Sequence, residues 1–296
     1  MHKPLSGLSV CSLALLSFSA TSAENYSTFL AAEYSSVSTD ATTPFGNLES
    51  DNDYWRLSAS HYFAPRPIMG PLKEFQFINQ QSYIATTASF SDQTDSQGLS
   101  GEYLWNDWVV SASTSFGDVD STSIGVGYFI TRDFKISVYN NAYSDAGGLL
   151  DSDESEFSFS VDYVYPLAGK DYIGASFNTN EDFDFSTLVT KYFTALGEDR
   201  YLSLSASAVV YGDEFSDIED TVSLIAEYYI NQYTSLSVMV LAKGETDGFN
   251  IGASHYFDEN SSLRLSYSDH ETSTSSGAQN VEYNRETWNL GYQYQF

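Results

Sequence analysis

From Tyr26 to Phe296 the sequence alternates apolar and polar residues with a period of two, and no segment shows a helical period of comparable strength. In "SEFSFSVDYVYP", Phe157, Phe159, Val161, Tyr163 and Tyr165 share one face, while Ser158, Ser160, Asp162 and Val164 share the other. The same alternation runs through Trp55, Leu57 and Ala59, through Trp108, Val110 and Ala112, through Leu202 to Val210, and through Trp288, Leu290, Tyr292 and Tyr294. Segments of about 9 to 11 residues are long enough to cross the hydrocarbon layer as tilted strands. The best apolar run, "LSVMVLA" at 236–242, is far shorter than the ~18 to 20 residues of a membrane helix. Lipid accepts only structures that satisfy every backbone hydrogen bond, so such a chain enters a membrane as a closed sheet. A mean hydropathy of −0.26 agrees, because a barrel strand shows lipid only alternate residues.

Eight segments end in aromatics before a turn: Tyr62–Phe63, Tyr103–Trp105, Tyr128–Phe129, Tyr163–Tyr165, Tyr192–Phe193, Tyr228–Tyr229, Tyr256–Phe257 and Tyr294–Phe296. Short links follow most of them ("ND", "RD", "LAGKD", "LGEDR", "NQ", "DENS"), and the intervening links are longer and rich in acid, Ser and Gly. This asymmetry predicts an all-β, closed antiparallel transmembrane barrel with short periplasmic turns and longer acidic extracellular loops. The aromatics would form the periplasmic-side girdle. Eight endings, each with a returning partner, give about sixteen strands; weak joins near 176–186 and 91–105 leave fourteen open. A soluble β-sandwich or jelly roll also alternates, but does not place aromatics at one end.

One link breaks the pattern. "APRPIMGPLKEFQFINQQ" follows "HYF" where a short turn is expected, yet it runs from Ala64 to Gln81 and holds three of the six prolines, which exclude a central strand. It is an irregular turn with an early strand start, a periplasmic lip, or a segment folded into the lumen.

Residues 1–23, with Lys3, an apolar stretch from about Leu8 to Phe18, and small residues at Thr21 and Ala23, read as a signal peptide cleaved after Ala23, leaving 24–296 as the barrel. Cleavage removes Cys11, so the mature chain has no disulfide framework and no cysteine metal site. It also removes one lysine, so a net charge of −28 becomes −29. Such acidity argues against nucleic acid as a partner.

The ending "WNLGYQYQF", with Trp288, Leu290, Tyr292, Tyr294 and Phe296 on one face, resembles the last-strand insertion signal of Gram-negative outer-membrane barrels. The whole chain resembles the bacterial putative or general porins, and "GPLKEFQFINQQSYI" at 70–84 is similar to a segment of one group of them, matching at Gly70, Pro71, Leu72, Glu74 and Phe77 and departing at Phe75 and Gln80. The resemblance implies an outer-membrane location in a Gram-negative bacterium and passive diffusion of small hydrophilic solutes by a homotrimer. Its implied partners are outer-membrane lipid, lipopolysaccharide and, during insertion, the barrel-assembly machinery. General porins carry a long inward third loop; the candidates here, 38–51 and 268–286, are not obviously that.

With the apolar face toward lipid, Arg56, Lys135, Asp162, Lys191, Glu227 and Arg264 face the lumen, since Lys or Arg at the lipid midplane costs about 2 to 4 kcal/mol. They either set a weak pore field or pair across the wall and hold its shape. Asp151, Asp153, Glu154, Glu156, Asp217, Glu219 and Asp220 form an outer acidic rim that predicts a mild cation preference. "DSDESE" lacks the spacing and glycine of a calcium loop. No cofactor, metal or catalytic residue is expected. His61 and His255 fall in "HYF" endings, and His270, beside Asp269 and Glu271 in a predicted loop, is the one conceivable catalytic dyad. The alternatives to a channel are a surface receptor or structural barrel without an open pore and, behind those, a barrel hydrolase.

Overall fold

Alternation becomes pairing along the whole chain in the computed structural model, which describes residues 25–43, 46–91, 94–117, 119–145, 154–212, 220–243, 246–276 and 279–296. The proposed signal peptide, Asp151, Asp153, Asp217 and Glu219 lie outside the described residues. The strands are β1 (Asn25–Thr43), β2 (Gly46–Pro67), β3 (Tyr83–Ser91), β4 (Asp95–Trp105), β5 (Trp108–Phe116), β6 (Val119–Thr131), β7 (Phe134–Asp145) and β8 (Glu154–Pro166). They continue as β9 (Tyr172–Asn180), β10 (Phe185–Gly197), β11 (Arg200–Tyr211), β12 (Thr221–Asn231), β13 (Thr234–Lys243), β14 (Thr246–Tyr256), β15 (Ser261–Ser276) and β16 (Gln279–Gln295). Each pairs antiparallel with its sequence neighbour, and β16 returns to β1, so sixteen strands close with no edge. Sixteen, rather than fourteen, is the number, and the up-and-down order excludes a sandwich.

Closure is completed by the last residue. Phe296 accepts hydrogen bonds from the backbone N–H of Ser27 (3.0 Å) and Thr28 (2.8 Å) through its carbonyl, and donates its own N–H to Thr28 (2.9 Å). The outer face carries Trp55, Leu57, Phe159, Val161, Leu236, Val238, Val240, Trp288 and Leu290, all at least a third exposed. A continuous apolar band of this size is not sustained in water. The inner face is mostly Ser, Thr and charged residues, as one-residue alternation demands.

The turn end, where β1 begins and β16 ends, is built from tight connections. Gly197, Glu198 and Asp199 all take positive φ (85°, 51° and 60°), the twist required by a two-residue hairpin. In the β14–β15 turn the Asp258 carboxylate accepts the N–H groups of Asn260 (2.8 Å) and Ser261 (2.6 Å), which hold its carboxyl below the usual range.

At the other end the expectation of loops at 38–51 and 268–286 is corrected. Residues 38–43 and 46–51, and 268–276 and 279–286, are paired strand: β1 and β2 run 19 and 22 residues, β15 and β16 run 16 and 17, against 9 in β3, β5 and β9. The Ser/Thr-rich sequence reads as loop because it lacks an apolar half, yet a hairpin rising into water needs none. The wall is therefore tall on one side, and no described segment from that end folds inward.

Candidate functional site

The inward segment comes from the opposite end. Residues 68–82, between β2 and β3, fold into the barrel at the turn end, which settles the three readings of the proline-rich link in favour of the lumen. An isolated bridge between Ile68 and Phe75, with Met69 N–H to Glu74 O (2.8 Å) and Glu74 N–H to Pro71 O (3.0 Å), makes the segment a compact hairpin. Its tip, Pro71 and Leu72, is among the most buried parts of the protein.

The aromatic endings build the socket. Neighbouring residues on a strand point to opposite faces, so each doublet sends one ring out and one in. Tyr128, Tyr228 and Phe257 are exposed at 36, 37 and 64%, whereas Phe129, Tyr229 and Tyr256 are 8, 1 and 3% exposed. Only half of each doublet can serve the girdle expected from sequence. The inward residue of every even-numbered strand meets the segment or the clusters it packs on. Tyr62 and Phe75 sandwich the Arg66 guanidinium at 4.7 and 4.6 Å. Phe129 clusters with Ile78 and Val109, and Leu104, Val164 and Phe77 pack against that cluster. Phe193 and Tyr229 cluster with Tyr172 against Met69 and Phe77, while Tyr256 and Tyr26 enclose Leu72. On β16, Gln295 donates to the Leu72 carbonyl (3.3 Å). Burying Leu72 and Ile78 contributes about 1.5 to 3 kcal/mol each.

Charge fixes the tip. Glu74, 4% exposed, accepts hydrogen bonds from Tyr172 (2.9 Å) and Tyr229 (3.0 Å) and forms an ion pair with Lys191. Beside it, Lys73 pairs with Glu227, whose carboxylate also accepts from Ser235 (2.6 Å) and Tyr229 (3.1 Å). A buried carboxylate with an ammonium and two hydroxyls is compensated, and removing any one partner is costly.

Gly70 permits the approach. Its φ of +146° disfavours any side chain, and a Cβ would stand 2.6 Å from ring carbons of Tyr201. Gly70→Ala is expected to lower the stability of the docked segment by roughly 1 to 3 kcal/mol. Faster tryptic cleavage after Lys73 would be the readout, and an unchanged cleavage rate would contradict the docked arrangement. Across the barrel, the Phe77 ring occupies the place a Cβ on Gly174 would need.

The residues singled out from sequence for the lumen divide into three groups, and the acidic ones lie apart at the far end. Lys191 and Glu227 hold the inward segment. Lys135 pairs with Asp162 (3.2 Å) across β7 and β8, and Asp162 also accepts from Ser176 (2.6 Å), an internal wall contact. Arg56 opposes Glu33, and Arg264 opposes Gly291, on the inner face. At the far end, Glu156 opposes Asn141 and Asp220 accepts the Tyr211 N–H (3.0 Å); the side chain of Glu154 lies outside the described residues.

His270 forms no dyad with its sequence neighbours. It lies on β15 within strand pairing, so Asp269 and Glu271 sit on the opposite face. His61 and His255 each accept or donate at 2.9 Å with a threonine, Thr28 and Thr234, and meet Phe63 and Phe257 edge-on. Among the described residues no His/Cys/Asp/Glu cluster has metal-binding geometry.

Sequence reasoning missed Lys73 and Glu74 as anchors, Tyr172 and Tyr229 as their partners, and Glu33. The available signal was an adjacent base and acid in a proline-bounded insert, but their partners lie on strands up to 155 residues away.

Two cavities flank the Leu72 layer. One of about 430 Å3 opens at the turn end between Asn25, Gly70, Lys170, Gln232 and Glu259. The other, about 270 Å3, lies farther inside among Glu33, Lys73, Ser254, Arg264 and Gln293.

A closed, outward-apolar barrel with a polar, charge-lined interior narrowed by an inserted segment has the build of a porin-like barrel. The chain belongs to the family described as putative general bacterial porin, whose profile matches residues 6–296. No curated protein matches it. In fold it is similar to the outer membrane protein Omp33 of Acinetobacter baumannii, at 13% identity over 93% of this chain and 100% of that one, with a TM-score of 0.54. It is also similar to a deletion mutant of the monoaromatic hydrocarbon channel TodX, at 11% identity over 92% and 91% of the two chains, with a TM-score of 0.52. At these identities the likeness speaks for the fold alone.

Proposed function

We propose that the protein is a passive channel for small hydrophilic solutes in the outer membrane of a Gram-negative bacterium, with residues 68–81 as its constriction. The observation that carries this reading is the docked segment: it narrows a polar lumen while leaving charged cavities on both of its sides. In this reading the turn end faces the periplasm and the tall β15–β16–β1–β2 wall faces outward. Residues 1–23 are removed on export, and Trp288, Leu290, Tyr292, Tyr294 and Phe296 present the insertion signal. A homotrimer is the assembly that the resemblance favours.

Selectivity has two sources. Width is set by the segment, and charge by the acidic rim, which concentrates cations at the mouth of a chain with a large net negative charge. Most inner charges contribute little to that field, because Lys135, Lys191 and Lys73 are neutralised by Asp162, Glu74 and Glu227.

The test is single-channel recording of the refolded mature protein under a salt gradient. Stable steps with a cation-favouring reversal potential are expected. Neutralising Asp151, Asp153, Glu154 and Glu156 together should move that potential toward zero. A folded protein without steps would overturn the channel reading, and an unmoved potential would remove the rim from it.

A further inference from the structure

The charges that hold the segment are paired, but a second set on the inner wall is not. In register, Arg56 on β2 stands opposite Glu33 on β1, Glu33 opposite Gly291 on β16, Gly291 opposite Arg264 on β15, and Arg264 opposite Ser254 on β14. These residues form one belt around the inner face. The side chains of Glu33, Arg56 and Arg264 make no hydrogen bond or ion pair with one another or with other described residues, unlike every lumen lysine discussed above.

Gly291 leaves a recess between them. A Cβ on it would lie 3.8 Å from Glu33 Oε2 and 3.9 Å from Arg264 Cβ, so a carboxylate and the stem of a guanidinium side chain border an empty position. This recess is part of the 270 Å3 cavity, whose floor is Lys73 and Tyr256 and whose wall includes Ser254 and Gln293. Ligand pockets usually start near 300 Å3, so the occupant is a small solute. The Lys73 ammonium on the floor is already neutralised by Glu227, which leaves an acid and bases in the belt to be matched from solution.

We infer that this cavity is a binding site for a small zwitterion of α-amino acid type. Its carboxylate would be received by the Arg264 guanidinium, whose planar fork suits a carboxylate. Its ammonium would be received by Glu33, which borders the same recess. A solute of one sign would satisfy only part of the set. The inference rests on the channel reading for its physiological meaning, but not for its test.

The test is calorimetric titration of the refolded mature protein in detergent with L-alanine, propionate and ethylamine. L-Alanine is expected to bind, propionate to bind at least about fivefold more weakly, and ethylamine to give no saturable heat, because each lacks one charge-assisted contact. Arg264→Gln should weaken L-alanine by about tenfold, equivalent to ~1.4 kcal/mol. Glu33→Gln should reduce L-alanine to the affinity of propionate while leaving propionate unchanged.

Equal affinity for propionate and L-alanine would make the site a simple anion site and overturn the inference. So would an absence of binding by all three probes, or L-alanine affinity that both variants leave intact. Neither residue has a structural partner, and retained heat-resistant migration of each variant in detergent confirms its fold. Binding without conductance would leave this inference standing and sink the channel reading; conductance without binding would do the reverse.

Discussion

Replacing Ala64–Gln81 by Asn-Gly is expected to raise single-channel conductance by on the order of tenfold, since sixteen-strand barrels without a plug leave an aqueous channel. The join is geometrically available. Phe63 N–H already donates to Ser82 O at 2.9 Å, and Tyr62 pairs with Tyr83, so a two-residue turn closes β2 onto β3. The inward aromatics would lose their apolar contacts and β1 its pairing at Asn25 and Tyr26, but the rest of the strand ladder and the outer band would remain. Heat-resistant migration in detergent should therefore persist. Unchanged conductance from a folded deletion variant would show that the narrowest point lies elsewhere and would remove residues 68–81 from the mechanism.

Glu74→Ala is the single substitution with the largest expected effect. It leaves Lys191 without its counter-ion and the Tyr172 hydroxyl without its acceptor, and leaves the Tyr229 hydroxyl with Glu227 alone. Breaking a buried pair from one side costs about 3 to 5 kcal/mol. Local units open at less than the global stability, so a loss of that size would undock the segment while the barrel stays closed. The expected readouts are rapid tryptic cleavage after Lys73 and frequent transitions to a larger conductance. The double variant Glu74→Ala, Lys191→Met should recover part of the protection, because it removes the orphaned charge. Wild-type cleavage and conductance in Glu74→Ala would show that the apolar contacts of Leu72, Phe77 and Ile78 hold the segment unaided.

Much of the wall was legible because alternation is a local property. The strand number follows from eight aromatic endings, and the outward face of β8 follows from Phe157, Phe159 and Val161 alone. The socket was less legible for the same reason. In a doublet such as Tyr228–Tyr229 both rings look alike in sequence, and only the sheet decides which meets lipid and which meets Glu74. The segment itself was conspicuous from its prolines. Its position was not, since Lys191, Tyr172, Tyr229 and Gln295 are brought to it from four strands by barrel closure. The tall hairpins look like loops in sequence because Ser and Thr on both faces carry no apolar signal, although their pairing is regular.

The placement of Gln295 links docking of the inserted segment to closure of the barrel. Its side chain, with no exposed surface, is hydrogen-bonded to the Leu72 carbonyl, and it lies one residue before the chain end on the strand that seals the cylinder. The inserted hairpin is made early in synthesis, but its last contact arrives with the final strand. A barrel caught before β16 meets β1 would lack that contact and, with the seam open, would not hold Tyr26 beside Leu72. Docking of the hairpin thus doubles as a check on completion: a molecule left ajar at the seam is also one whose stopper is not seated.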